Sequence, residues 1–307
     1  MWICFALVLL AEGARVSTTV APGEILTVTA TGSGSDVVFV PSLCGAAYGF
    51  REPTRAVAEA GYRAIVIEPL GFGHSSRPPT ADYSLTAQSR RLAAVLDQIG
   101  TKDVILVAQG VSASIAFRLA VARPDLVRGI VSLEGGPAET GTTPAFRRAM
   151  GMSKLIEMLG AKKVLRSQLE NKLRAASADA SWVTNTVIDG YTEGAFENPS
   201  GTLAAFRAIA TAHEPELIVP RLSQVHCPVE LLVGAAPHEG GIPADELLAL
   251  RQGLTQLRVV SISACGHFIS EERPDAIVAS IRRIHRHTGS GTTAALGASP
   301  TDSPEGR

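Results

Sequence analysis

Six compact runs of apolar, mostly β-branched residues govern what this chain can fold into. They are VVFV (37–40), AIVI (64–67), VILV (104–107), GIVSL (129–133), ELLV (230–233) and RVVSI (258–262). None alternates cleanly between apolar and polar residues, which is how strands covered on both faces of a parallel sheet read. Between them, Arg51–Ala60, Ser84–Ile99, Ser112–Ala122, Asp245–Gln252 and Pro274–His285 carry apolar residues at helical spacing. Gly61 and Gly100 stand where two of these helices should stop. Strand–helix alternation of this kind predicts an α/β fold, a doubly wound and mostly parallel sheet with right-handed crossovers. Val16–Val20 and Ile25–Thr29, turned at Pro22-Gly23, predict an opening hairpin.

The alternation breaks between residues 138 and 224. AFRRAMGMSKLIEMLG, AKKVLRSQLENKLRAA and SGTLAAFRAIATAH read as helix throughout. The expected organisation is a core at 15–137, a helical cap inserted at 138–224, and the rest of the core at 225–286. From residue 287 the chain is rich in Gly, Ser, Thr and Pro and is expected to be a disordered tail. Residues 1–14 form a possible signal peptide. An apolar stretch leads into AEGA, although no Lys or Arg precedes Arg15. On that reading the protein is exported or periplasmic; without it, the chain is cytoplasmic.

Composition narrows the partners. A formal charge of −1 with no basic run gives no expectation of nucleic acid. No apolar stretch reaches the length of an integral membrane span in the mature chain. Cys4, Cys44, Cys227 and Cys265 lack zinc spacing, and no grouping of His, Asp and Glu predicts a metal. The expected reading of the cysteines is small buried apolar side chains, with a disulfide open if the chain is exported. No organic cofactor is implied, and the expected partner is a small molecule.

Three blocks resemble the α/β-hydrolase superfamily nearly position by position. They are VVFVPSLCGAAYGF…AEAGYRAIVIEPLGFGHSSRP, DVILVAQGVSASIAFRLAVARPDLVRGIVSLEG and SACGHFISEERPDAI. The resemblance spans roughly residues 16 to 286 and is weakest in the helical insertion. Its implied nucleophile elbow is a turn of the form small-x-nucleophile-x-small between a strand and a helix. Counting back from the helix and Pro124 places this turn at Ala108-Gln109-Gly110-Val111-Ser112, with Gly110 at the nucleophile position. The elbow is then degenerate, because glycine offers no side chain to attack with. A slide of two residues would instead present Ser112 as an alternative nucleophile.

The same resemblance makes His267, in Ala264-Cys265-Gly266-His267-Phe268, the catalytic histidine. Such a histidine needs an acid to orient it. The usual place for that acid falls at Pro237, so Glu134, directly after GIVSL, is the expected acid and Glu239 the reserve. The oxyanion hole would use the backbone N–H groups of Leu43 and Val111. In Glu68-Pro69-Leu70-Gly71-Phe72-Gly73-His74-Ser75 the glycines are read as structural and His74 as exposed. Cys44 and Cys265 are remoter candidates for a thiol nucleophile.

Three functions follow. The first is an enzyme on a small, largely apolar organic substrate that lacks a covalent nucleophile and uses His267 as general base. The second is a serine ester hydrolase acting through Ser112. The third is a non-catalytic ligand-binding pseudo-hydrolase.

Overall fold

The computed structural model describes residues 13–43, 45–158 and 160–294. Eight strands form one sheet: β1 (Arg15–Ala21), β2 (Glu24–Thr31), β3 (Ser35–Val40), β4 (Tyr62–Glu68), β5 (Val104–Gln109), β6 (Val127–Leu133), β7 (Val229–Gly234) and β8 (Leu257–Ile262). Their spatial order is β1-β2-β4-β3-β5-β6-β7-β8. The hairpin β1–β2 is antiparallel and joins β4 antiparallel, while β4, β3, β5, β6, β7 and β8 run parallel. Each of the six apolar runs lies in a parallel strand, and β5 is buried at all six positions. Backbone groups in the centre of such a sheet have no access to water, so ladder pairing must satisfy them.

Helices cover both faces: α1 (Arg51–Glu59), α2 (Leu85–Gln98), α3 (Ser112–Ala122), α4 (Pro144–Gly151), α5 (Ser153–Met158), α6 (Ala161–Ala175), α7 (Asn185–Glu197), α8 (Pro199–Thr211), α9 (Ala244–Gly253), α10 (Ile269–Glu272) and α11 (Pro274–Ala294). One core holds α2 and α3 against Val38, Val40, Leu106 and Ala108. The opposite core packs Phe39, Val107 and Leu133 against Phe50 just before α1, Val57 of α1, and Ile277 and Ile281 of α11. A third, smaller cluster lies within the insertion. Leu173 and Ala176 at the end of α6 meet Ile188 and Tyr191 of α7, and Phe268 of the core joins them.

Helices α4 to α8 fill the connection between β6 and β7, so the stretch expected to be helical is helical. Polar ties hold it to the core. Glu271 accepts from Tyr191 Oη at 2.8 Å and pairs with Arg51 at 2.6 Å. Glu272 accepts from the N–H groups of Ala178 and Asp179 with one oxygen and from Gly266 N with the other.

Three expectations need correction or restriction. Residues 287–294, read as part of a disordered tail, continue α11, and Thr288 Oγ1 donates back to Ile284 O at 3.0 Å. A hydroxyl that satisfies a carbonyl one turn earlier lets a polar sequence stay helical. His74, read as exposed, is half-buried: Nδ1 lies 3.5 Å from Glu68 and Nε2 3.4 Å from Glu197. The cause is α7, whose Gly194 packs directly on the Gly73 backbone and covers the loop. The apolar leader falls outside the described residues up to residue 12, and Arg15 already opens β1. Among the described residues no helix is long and apolar enough to cross a membrane.

Candidate active site

Parallel strands leave their C-terminal ends open to one side, and loops from different strands converge there. Five of these ends matter. After β3 comes Pro41-Ser42-Leu43; after β5, Gly110-Val111; after β6, Glu134; and after β7 and β8, the loops carrying His238 and His267.

The turn after β5 is tight. Gly110 has φ +53°, its N–H donates to Leu133 O at 2.9 Å, and its carbonyl accepts from Ala113 N at 3.0 Å. Glycine takes this left-handed conformation at no steric cost. Among the described residues, a methyl group built on Gly110 would come within 4 Å of Ser42 alone, with Oγ at 3.2 Å and Cβ at 3.8 Å. The Cβ position of residue 110 is therefore bounded, among the described residues, by Ser42. β5 ends at Gln109 and α3 starts at Ser112, with Gly110-Val111 between them. Ser112 is fully buried, and its hydroxyl donates to Pro41 O at 2.7 Å. That bond ties α3 to the loop after β3 and turns Ser112 away from the open side.

Leu43 and Val111, the two expected oxyanion donors, flank this opening and are both half-buried. Neither N–H donates to another group among the described residues. The loop is braced from beneath by Glu68, which accepts from Ala47 N and His74 N, both at 2.7 Å. Gly73 is required for this bracing, since a methyl group there would stand 1.9 Å from Glu68 Oε1.

His267 is buried, and its N–H donates to Ala176 O at 2.8 Å, so the end of α6 fixes the loop. The ring packs edge-on against Phe268, with centroids 5.0 Å apart. Burial pushes its pKa down to about 4, with Lys172 and His238 adding to the effect. His267 is thus a neutral imidazole at ordinary pH, able to accept a proton.

The expected contact between Glu134 and His267 is not present. Glu134 Oε1 accepts from Gly234 N at 2.5 Å, and Oε2 accepts from Ile242 N at 3.2 Å. Its ring partner is His238, with Nε2 3.3 Å from Oε1. His267 Nδ1 has no hydrogen-bond partner among the described residues. The Gly240 backbone lies beside it, so close that a methyl group there would stand 3.6 Å from Nδ1. The loop after β7 thus folds between the carboxylate and the histidine expected to meet it. The reserve acid, Glu239, is exposed, and no described hydrogen bond or ion pair involves its carboxylate. His238 was not singled out from the sequence; the only signal for it was a histidine one residue after the usual acid position.

Cys265 is buried, with its thiol pushed up to about 12 by burial and by Glu272, so it is not a thiolate nucleophile. Cys227 is likewise free and pushed up to about 12, and Cys44 lies outside the described residues. No cluster of His, Cys, Asp and Glu suited to a metal occurs among the described residues.

Glu246 on α9 packs against Gly136, just beyond Glu134. Burial, with Asp245 and Glu139 adding to it, pushes its pKa up to about 7. A carboxyl raised on folding contributes stability below its ordinary value, and that contribution is lost as pH rises through the folded value. Glu246→Gln should therefore raise Tm at pH 8 and leave it nearly unchanged at pH 4.5, as measured by thermal melts at the two pH values.

The sheet order, the opening at its C-terminal edge and the histidine loop after the last strand define the class as an α/β hydrolase. A family model of the alpha/beta hydrolase fold matches residues 37–274, and the chain belongs to that family. An epoxide hydrolase of Caballeronia sordidicola is 32% identical over 127 residues, covering 41% of this chain and 39% of that protein. The 2-hydroxy-6-oxononadienedioate/2-hydroxy-6-oxononatrienedioate hydrolase of a Pseudomonas species is 23% identical over 265 residues, covering 83% and 91%. A thermophilic esterase from Thermogutta terrifontis superposes with a TM-score of 0.71 at 21% identity, covering 90% of this chain and 99% of its own. Several curated relatives are matched over only 37% to 52% of their own length.

Proposed function

We propose that this chain is an enzyme of hydrolytic type that works without a covalent nucleophile, with His267 as general base on water. The observation that carries this reading is the pairing of an empty-sided turn at Gly110 with a buried neutral imidazole at His267. Ser112 is committed to Pro41 O, which disfavours the serine-hydrolase alternative.

In the proposed step, His267 takes a proton from a water molecule held above Gly110, and the hydroxide oxygen bonds to the electrophilic carbon of the substrate. The electron pair moves onto the substrate oxygen, which the N–H groups of Leu43 and Val111 receive. As the carbon–oxygen bond to the leaving group breaks, the imidazolium returns its proton to that oxygen. Names among the relatives, epoxide hydrolase and esterase, suit small organic substrates with an electrophilic carbon bonded to oxygen. The half-buried Leu43 and Val111 favour a largely apolar one.

The test is fluorophosphonate labelling of the purified protein, read by intact mass and peptide mapping, beside turnover of a panel of small esters and epoxides. Turnover without an adduct is expected. An adduct on Ser112 or Ser42 would replace this mechanism with a covalent one, and absence of turnover across the panel would favour a ligand-binding protein.

A further inference from the structure

Two neighbouring glutamates of α10, Glu271 and Glu272, both reach the insertion, and they do so differently. Glu271 is bound by side chains, Tyr191 of α7 and Arg51 of α1. Glu272 is bound by backbone. Its Oε1 accepts from Ala178 N at 2.7 Å and from Asp179 N at 2.8 Å, just past the end of α6, and its Oε2 accepts from Gly266 N at 2.7 Å. The Cys265 thiol stands 3.8 Å from the same Oε2. One carboxylate therefore bridges the insertion and the residue that precedes His267.

The contact is closed by the histidine itself. His267 N donates to Ala176 O at 2.8 Å. Gly266 leaves room for this: a methyl group there would stand 2.5 Å from Ala176 O and 2.8 Å from Ala178 N. Side-chain carbon does not approach backbone atoms so closely, so only glycine lets the two chain segments meet. The rings continue the contact. Phe268 stands edge-on to the His267 ring, and Trp182 of the insertion lies 5.6 Å from Phe268, centroid to centroid, at 65°. Leu173 and Ala176 complete the cluster around Phe268. The insertion thus holds His267 by its backbone and, through Phe268, by its ring.

We propose that Glu272 is the positioning residue for His267: by locking residues 176–179 to the histidine loop, it makes the end of α6 and the base one unit. The proposal rests on His267 being the base of the proposed function. A carboxylate suits this task because it presents two acceptor oxygens and no donor, so it accepts from backbone N–H groups on opposite sides at once. A glutamine of the same size has one acceptor oxygen and an NH2 group, which would face an N–H donor head-on on one side. Losing that side frees the Gly266–His267 backbone to shift, and about 1 Å of misplacement at a reacting centre can cost about 10²-fold in rate.

The test is amide hydrogen exchange of the full chain, read by mass spectrometry over the histidine loop, beside turnover of the ester and epoxide panel. In Glu272→Gln the Gly266 and His267 amides are expected to exchange faster by about tenfold or more. On the panel, kcat is expected to fall by about tenfold or more with KM held within about twofold. Glu271→Gln is the comparison, since it loosens the tie to Tyr191 and leaves the Glu272 bonds in place. It should leave exchange in the histidine loop near that of the wild type. Unchanged exchange there in Glu272→Gln overturns the proposal, because a side chain that only fills space would tolerate glutamine. An equal rise in both variants also overturns it, by reducing the effect to lost stability, and so does faster exchange with kcat unchanged. The two readings fail separately: a wild type that turns over no panel member sinks the proposed function, while the exchange contrast still decides whether Glu272 locks the loop.

Discussion

Replacing His267 by Ala is expected to lower kcat by about 10²–10⁴, the range for loss of a positioned general base. The size of the effect follows from the surroundings of the turn after β5. With glycine at position 110 and Ser112 bonded to Pro41 O, neither residue of that turn supplies a nucleophile in place of the base. Ser112→Ala removes one buried hydrogen bond, worth about 1 kcal/mol of stability, and should leave kcat within a few-fold of wild type. The contrast between these two variants carries the weight, because an equal loss in both would point to a disturbed loop. The check is steady-state turnover of whichever panel substrate the wild type accepts, with melts to confirm folding.

Under the proposed mechanism, the same ring sets the acid side of the pH profile. His267 is neutral above a pKa of about 4, so kcat should be flat from neutral pH to about 5 and fall below that. Its stability linkage has the corresponding sign. A histidine whose pKa is lowered on folding contributes nothing above its ordinary value near 6.5, and costs stability as pH falls from there toward 4.

The fold was legible because its determinants are local. A run such as VILV cannot be solvated along its length, and its neighbours cannot continue it as helix, so strand, turn and helix follow from short windows. The position of His267 was legible for the same reason, since it stands just past the last strand in a glycine loop. The partner of Glu134 was not. Residues 134 and 238 meet only because β6 and β7 are adjacent and the β7 loop turns back over the strand ends. His238 sits in Ala-Pro-His-Glu-Gly-Gly, where no periodicity marks it. The covering of His74 escaped for a related reason. The helix that covers it, α7, lies over a hundred residues further along, in the insertion where the resemblance was weakest. Local pattern can place a side chain at a strand end, but it cannot say which loop will close over it.

Glu214→Ala is expected to cost about 3–5 kcal/mol of stability, the range for breaking a buried, hydrogen-bonded ion pair. Glu214 follows α8 and reaches back to the start of α2. Its carboxylate accepts from Leu85 N at 2.5 Å, from Thr86 N at 3.1 Å and from Thr86 Oγ1 at 2.8 Å. With Ser84 Oγ accepting from Ala87 N, the first free N–H groups of α2 are satisfied, and a negative charge stands at the positive end of that helix. Arg118 of α3 lies 3.4 Å from the same carboxylate and also pairs with Glu139 at 2.9 Å; the Arg118 and Glu214 side chains are 6% and 3% exposed. Alanine would leave two helix-start donors unpartnered and a buried guanidinium with one carboxylate where it had two. Glu214→Gln keeps an acceptor for α2 and should recover part of the loss. Glu216→Ala, which removes only an exposed pair with Arg221, should shift a urea midpoint little. Equal midpoints for Glu214→Ala and Glu216→Ala would show that the insertion's far end is not anchored through this carboxylate. A large difference would show that the end of the insertion is tied to the core through this carboxylate.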